Sequence, residues 1–564
     1  MELLSWLNDV LYDGLPYALT VMSFVITFRY LNFPDLTAAG SFVFGAAVAA
    51  IAVVNFGINP FLALLFALAA GAAAGAATAF FNVVLRINRL LAGILGAFFL
   101  YGINQLLLSP TLPYGSHATV LAWAEWHDRQ IAVGNLPWHP CAIVIFGLVV
   151  GGVKLLLDWY FHSELGLALR ALEDADAGEE VLRRNGLSPD RFRFAGVVMA
   201  NALVGLSGAV ISMRESAANA HRGFDVLVTG LVAYLMGVSV LSLMRRIVRH
   251  RNGNGVTGLA RIARIEPTTV AVLGTLLYFG LIDVSQRIQI RPELTRIVLV
   301  LSVVAAVGDL ATVKKRFLTL RRSSASFASA EAPPLVSLRN ISFGYPNADE
   351  DCIENANLEI GRGERLKLEG ANGSGKTTLM KIASGLLAPS AGEILLEGND
   401  VTKDSATRLR NVVYVDQNPQ RGVVGSLTVE ENLLLAQAGA TPSLWRKAAD
   451  ARKTDVLQRV VQLAALPLSH LQRDAQSLSG GQRQITNLLT LLARENLPPV
   501  VMLDEPTNNL DAEHIARCKG IIKELRDRGA AVVLVSHTGL EQLPVDRVVR
   551  LQAPGHGGRA PKGE

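Results

Sequence analysis

At 564 residues and 60.5 kDa the chain is too long for one domain. Its net charge of +5 is uneven: 26 Lys and Arg stand against 20 Asp and Glu through Ala330, then 27 against 28. A basic excess confined to the more apolar part suits an anionic membrane surface and gives no reason to expect nucleic acid. Cys141, Cys352 and Cys518 are scattered and form no CxxC pair, so neither a structural disulfide nor a cysteine metal site is expected.

Met1 to Asp13 lacks the basic start and small-residue cleavage site of a signal peptide, so the first apolar segment is expected to stay in the mature protein. From Leu36 to Leu85, and again from Leu90 to Ala124, there is no Asp, Glu, Lys or Arg. A spanning helix takes about 20 apolar residues, so the first run holds two, divided at Asn59-Pro60. A charge at mid-bilayer costs roughly 2.5–3.5 kcal/mol on insertion scales, which explains the avoidance. The pattern predicts spans near residues 14–31, 36–56, 61–83, 89–108, 141–160, 192–213, 223–243, 267–285 and 293–312. The predicted fold class is a membrane all-α N-terminal domain of about nine transmembrane helices followed by an α/β domain.

Basic residues orient this threading. Arg86 and Arg89, the arginines between Arg170 and Arg193, those from Arg245 to Arg264, and Lys314 to Arg322 all fall on one side. The segment Ser109 to Pro140, with only Arg129, falls on the other. The positive-inside rule makes the basic side cytoplasmic and puts the N-terminus outside a cell (inner) membrane.

The polar insert Phe161 to Phe194 reads as two short helices. Gly186 sits at a C-cap and Ser188-Pro189 supplies an N-cap with proline at the first helical position. It reads either as a plain cytoplasmic loop or as a coupling helix that passes motion between domains. Within the spans, Asn104, Gln105, Asn201 and Asp225 mark a pathway or interhelical hydrogen bonds. Breaks at Asn32-Phe33-Pro34 or at Gly71 to Gly75 are candidates for lining a cavity. In Ser109 to Pro140, Trp123, Trp126 and Trp138 alternate with His117, His127 and His139. They fit an interfacial belt or a partner-docking surface, and their spacing does not support a metal site.

Ser323 to Pro334, small and polar and ending in two prolines, is the natural linker. It divides the chain into a transmembrane domain (1–322), a linker (323–334) and a nucleotide-binding domain (335–564). In the last, Leu366 to Leu368 reads as a strand, GANGSGKTT (Gly370 to Thr378) as a phosphate loop, and LMKIASGLL as a helix. Gly370, Gly373 and Gly375 let backbone N–H groups turn around phosphate oxygens, with Asn372 and Ser374 between them. The helix N-terminus adds partial positive charge. Lys376 can reach the β- and γ-phosphates of a nucleoside triphosphate, the Thr377 hydroxyl can ligate Mg²⁺, and Thr378 completes the loop. Three apolar strands then end at polar side chains: Val412 to Val415 at Asp416-Gln417, Val500 to Leu503 at Asp504-Glu505, and VVLVS at His537. Between the first two lies Leu478-Ser479-Gly480-Gly481-Gln482.

This motif set resembles the ATPase domain of ATP-binding cassette (ABC) transporters over roughly Leu335 to Leu551. The resemblance implies that Asp504 holds Mg²⁺ directly or through water, that Glu505 is the general base, that Gln417 contacts metal and water, and that His537 touches the γ-phosphate. Tyr345 stands where the family stacks an aromatic on adenine, or is a surface or core tyrosine. In this family Ser479, Gly480, Gly481 and Gln482 close over ATP held by a second ATPase domain, which implies a dimer. Asn508-Asn509-Leu510-Asp511 departs at its first two positions from the family's commoner Ser-Ala-Leu-Asp. Residues 14–312 resemble permeases of the branched-chain amino acid and ribose importer group.

Three functions follow. One is a homodimeric ABC importer with permease and ATPase fused, moving an amino acid or similar small polar solute from a solute-binding protein. The second is an ABC exporter half-transporter, for which long cytoplasmic helices and six spans would be expected. The third is a non-transport membrane regulator, for which Ser109 to Pro140 is too short an outer domain.

Overall fold

The computed structural model describes residues 2–109, 111–131, 139–175, 177–251, 265–289, 334–345, 352–371, 373–439, 442–464, 466–508, 510–536, 540 and 543–551. It forms two compact units, Met1–Phe161 with Asp190–Arg316, and His162–Pro189 with Phe317–Glu564.

The first unit is helical. α1 (Glu2–Phe24) runs into a π-helical turn at Val25–Tyr30, and α2 (Thr37–Val54) follows. α3 (Pro60–Ala79) ends in a second π-helical turn, Phe80–Val84, before α4 (Arg89–Leu108). Next come β1 (Thr111–Pro113), α5 (Ala122–Ile131) and α6 (Pro140–Phe161). α7 (Glu164–Ala171) and α8 (Gly178–Arg184) belong to the second unit. The chain returns as α9 (Pro189–Arg214), β2 (Ala217–Asn219), α10 (Arg222–Arg251) and α11 (Pro267–Arg287). Among the described residues eight helices are long and apolar enough to cross a membrane, from Leu3–Tyr30 to Pro267–Arg287. The ninth predicted span, 293–312, lies outside the described residues.

Local chemistry sets the breaks. Asn59 and Asn88 cap α3 and α4 by accepting from Phe61 N (2.9 Å) and Leu90 N (3.0 Å), and Pro60 occupies the first turn. α1 starts about a dozen residues before the predicted span, because its charged residues find partners. Asp9 pairs with Arg287 at 2.7 Å and Asp13 with Arg214 at 2.8 Å. Gly71 to Gly75 is no interruption. It lies inside unbroken α3, where a Cβ on Gly71 would stand 2.2 Å from Asn201 O and one on Gly75 2.7 Å from Val197 O. Small residues there let α3 and α9 approach backbone to backbone.

The polar residues inside the spans mostly close interhelical bonds. Asn201 donates to Asp35 Oδ2 (2.6 Å) and accepts from Ser41 Oγ (2.7 Å), and Asn104 donates to Gly40 O (3.0 Å). Asp225 is exposed. At one end of the helices Arg86 pairs with Asp190 (3.1 Å), and Thr268 donates to Asp158. At the other end β1 and β2 pair antiparallel, Thr111 opposite Asn219.

The second unit is α/β. Its strands and helices after the linker are β3 (Val336–Phe343), β4 (Ile353–Ile360), β5 (Arg365–Glu369), α12 (Lys376–Ala383), β6 (Ala391–Leu396) and β7 (Asn399–Asp400). They continue as α13 (Ser405–Asn411), β8 (Val412–Val415), α14 (Val429–Ala438), α15 (Ala451–Leu463), α16 (Gly480–Leu492) and β9 (Val500–Asp504). α17 (Ala512–Asp527), β10 (Ala531–Val535) and β11 (Arg547–Arg550) complete it. A five-stranded sheet of order β11-β5-β10-β9-β8 has every neighbour parallel. β8, β9 and β10 are buried along their whole length, which is why they read as unbroken apolar runs. A four-stranded antiparallel sheet, β4-β3-β6-β7, shares the core through Leu338, Ile341, Leu366 and Val533.

Candidate nucleotide site

The site forms at the carboxyl ends of β5, β8 and β9. Gly373 (φ 76°) and Gly375 (φ 70°) take left-handed backbone between β5 and α12, a turn that side-chain-bearing residues resist. The loop ends at the N-terminus of α12, where partial positive charge gathers. Lys376 Nζ folds over it, donating to Gly370 O (2.8 Å) and Ala371 O (3.0 Å). Burial holds the Lys376 ammonium below its usual value, opposed by Asp504 and Glu505.

Two elements converge on Asp504 at the end of β9. Thr377 Oγ1 of α12 donates to its Oδ2 at 2.6 Å, and Tyr414 OH of β8 donates to the same oxygen at 2.9 Å. Burial pushes the Asp504 carboxyl up, against those two bonds. A carboxylate, a hydroxyl and the amide oxygen of Gln417 are hard donors of the kind Mg²⁺ takes, and the first two already share one spot, so the donor set fits. Among the described residues no cluster of three His, Cys, Asp or Glu could hold a metal by itself. A Mg²⁺ here would complete its shell with phosphate oxygens and water.

Glu505 follows with φ 45°, its N–H tied to Val535 O at 2.8 Å. Gln417 Nε2 (3.1 Å) and Asn508 Nδ2 (3.2 Å) both donate to its Oε2. Two amides orienting one carboxylate oxygen leave it able to accept a proton from water. Tyr345, 41% exposed, places its OH 3.2 Å from Thr378 Oγ1 and its ring against Phe343, beside the phosphate loop. The predicted residues Gly370, Gly373, Ser374, Gly375, Lys376, Thr377, Thr378, Gln417, Asp504 and Glu505 are thus assembled by the three strand ends, and Tyr345 reaches them from the end of β3. Asn372 and His537 lie outside the described residues.

Ser479, Gly480, Gly481 and Gln482 sit apart on α16. Ser479 Oγ accepts from Gln482 N (3.2 Å), and Gln482 Oε1 accepts from Ser479 N (3.3 Å), a closed capping box. Ser479 and Gly480 are exposed, and a Cβ on Gly481 would meet the His514 ring at 3.1 Å. Tyr414 and Asn508 are site residues that the sequence reading missed. The signal for Asn508 was its departure from the family's serine; Tyr414 had none beyond its place in β8.

The insert 162–189 is gripped by this same unit. His162 O accepts from Ala448 N (3.0 Å), and Glu164 takes Ser443 N (2.8 Å) and Arg446 (3.3 Å). Asp174 accepts from Gly425 N (3.0 Å), and Arg170 pairs with Glu431 (2.8 Å). Buried Arg184 donates to Gly422 O (2.9 Å), Asn487 Oδ1 (2.6 Å) and Thr490 Oγ1 (2.9 Å). Arg494 then donates to Arg184 O (2.7 Å) and Asn185 Oδ1 (3.0 Å). One loop therefore begins at Gln417 and reaches the insert at Gly422 and Gly425. One helix, α16, runs from Ser479 to Asn487 and Thr490.

Fold and site define an ABC-type ATPase fused to a multi-helix membrane domain. Residues 353–508 match the ABC transporter family, and residues 7–307 match the family described as branched-chain amino acid transport system / permease component, to which the chain belongs. The energy-coupling factor transporter ATP-binding protein EcfA1 of Mycoplasmopsis synoviae is 32% identical over 220 residues, 38% of this chain and 78% of that protein. A tyrosine transport system permease protein of Clostridioides difficile is 24% identical over 275 residues, 49% of this chain and 81% of that protein. A dimeric bacterial ABC transporter cassette is 27% identical, covering 36% of this chain and 88% of its own, with a TM-score of 0.32. The protein is a multi-pass membrane ABC transporter with a cytoplasmic ATPase domain.

Proposed function

We propose that the chain is an ABC importer that works as a homodimer and moves an amino acid or similar small polar solute. Its permease would occupy residues 1–322, its linker 323–334 and its ATPase 335–564. The observation that carries the reading is the compact insert, two helices of 8 and 7 residues held by the ATPase unit at the connection between α6 and α9. The permease match over residues 7–307 supports it, and the likeness to a tyrosine transport permease supports an amino acid cargo.

In this reading backbone N–H groups of the phosphate loop and Lys376 hold the ATP phosphates, and Tyr345 faces the adenine. Thr377, Asp504 and Gln417 would hold Mg²⁺. Bound Mg²⁺ would neutralise charge on the β- and γ-phosphate oxygens. Glu505, oriented by Gln417 and Asn508, takes the proton of the attacking water, and His537 contacts the γ-phosphate. Ser479, Gly480, Gly481 and Gln482 close over the nucleotide of the second copy. Gln417 and Ser479 lie on the loop and helix that hold Arg184, so nucleotide state is passed to the insert through Gly422, Asn487 and Thr490.

A solute-binding protein would deliver the cargo to the outer segment, where Trp126 is 58% exposed. Asp128 in the same segment is buried and accepts from Cys141 N and Ala142 N, so single replacements are the sound probe. Right-side-out vesicles with ATP inside and amino acids plus loaded binding protein outside should accumulate one amino acid. Trp126→Ala should lower the binding protein's stimulation and spare basal hydrolysis. ATP-driven efflux would favour an exporter, and hydrolysis without any transport would favour a regulator.

A further inference from the structure

Within the membrane unit a cleft of about 530 Å³ lies between the turn and loop that follow α3 and the first turns of α4 and α9. That is within the roughly 300–1,000 Å³ of small-ligand sites. Its walls bring together Arg86, Arg89 and Arg193 against a single carboxylate, Asp190. Asp190 pairs with Arg86 at 3.1 Å and with Arg193 at 3.3 Å, so one acid positions two guanidinium groups. Arg193 is 9% exposed and forms the deep side, while the Arg86 side chain, 72% exposed, stands at the mouth.

The loop that carries Arg86 is built to hold it there. After the π-helical turn, Leu85 N donates to Phe80 O (3.1 Å) and Ile87 N to Phe81 O (3.1 Å), and Asn82 Nδ2 braces Ile87 O (2.8 Å). Arg86 takes φ 57°, a left-handed conformation that side-chain-bearing residues rarely adopt. The same construction recurs after α1, with Leu31 N on Ile26 O and Phe33 N on Thr27 O. There the left-handed residue is Asn32 (φ 47°), a type that tolerates it. Conformational preference alone would place Asn or Gly at position 86, so the basic group there serves another purpose.

The cleft lies at the inner membrane face. Asp190 stands in the first turn of α9, directly after the insert held by the cytoplasmic ATPase unit, and Arg86 pairs with Asp190. Beside the cations, Val84 (56%), Leu85 (51%), Leu90 (47%) and Leu91 (49%) expose apolar side chains. Cationic walls next to apolar shoulders at the inner interface match a phosphodiester headgroup with acyl chains attached. A free phosphate ion has no use for the shoulders.

We propose that this cleft binds the headgroup of an anionic inner-leaflet phospholipid through Arg86, Arg89 and Arg193. The test uses the full-length protein in detergent, titrated with phosphatidylglycerol or phosphatidylcholine and read by native mass spectrometry, with inorganic phosphate as a competitor. Phosphatidylglycerol should be retained in preference. Arg86→Gln with Arg89→Gln should weaken that retention by about fivefold for each arginine, and Arg86→Lys with Arg89→Lys should largely keep it. Phosphatidylcholine retention and thermal unfolding serve as controls that a misfolded variant would fail. Equal retention of phosphatidylglycerol by the Gln variant and the wild type overturns the site. Arginine-dependent binding of inorganic phosphate without preference between the two lipids overturns the lipid as its occupant.

Discussion

Removing the Arg184 side chain should free the insert from the ATPase unit without emptying the nucleotide site. Arg184 is 7% exposed and its guanidinium makes three hydrogen bonds, to Gly422 O, Asn487 Oδ1 and Thr490 Oγ1. A hydrogen bond to a charged group contributes about 1.5–3 kcal/mol, and such bonds are not additive. Deleting the guanidinium leaves three neutral acceptors buried without their donor, at about 1–3 kcal/mol each, so with partial relaxation the cost is about 3–5 kcal/mol. At about 1.4 kcal/mol per factor of ten, Arg184→Ala should make local opening of the insert about 10² to 4 × 10³ times more frequent. Hydrogen exchange of the full-length protein in lipid discs reads this directly. Peptides covering 162–189 and 416–427 should exchange faster by that factor, while β9 and β10 keep their protection. ATP affinity should stay within a few-fold, because the described bonds of Arg184 go to Gly422, Asn487 and Thr490, outside the phosphate loop. Arg184→Lys should lose less, since one ammonium can serve only part of a planar fork's acceptors. Unchanged protection of 162–189 in Arg184→Ala would refute the argument and assign the grip to apolar packing.

Glu505→Gln keeps the shape and the contacts from Gln417 and Asn508 but removes the proton acceptor, so turnover should fall by roughly 10²–10⁴ while ATP still binds; wild-type turnover would reassign the base. His470 is buried and its imidazole is pulled below its usual value, by burial first and then by Arg473 and Arg517. Its contribution is therefore present above the unfolded value near 6.5 and lost as pH falls through the depressed folded value. Thermal unfolding should show lower stability toward pH 5.5 than at pH 7.5, and His470→Gln should flatten that dependence; parallel curves would dismiss His470 as the cause. A tag placed before Met1 should be reached by antibody on intact spheroplasts and one after Glu564 only after lysis, since Asp9 and Asp13 pair with the ends of α11 and α9 remote from Asp158 and Asp190. Protection of the N-terminal tag would reverse the topology.

Much of this protein was legible in its residues. The phosphate loop, the apolar runs of β8, β9 and β10, and the helix breaks at Asn59-Pro60 and Asn88 are local. Each depends on backbone conformations or burial that nearby residue types dictate. The spans are equally local, because lipid excludes charge along the whole length of a helix. What the tertiary structure alone decided is which distant groups meet. Asp9 and Asp13 looked like the border of a span until Arg287 and Arg214, 278 and 201 residues away, were brought beside them. Tyr414 was one apolar-run residue among four until β8 paired with β9 and set its hydroxyl on Asp504. Arg184 and Asn487 lie 303 residues apart, and only the folded second unit makes one the partner of the other. A sequence records which side chains can donate and accept, whereas the partner of each is chosen by packing across the fold.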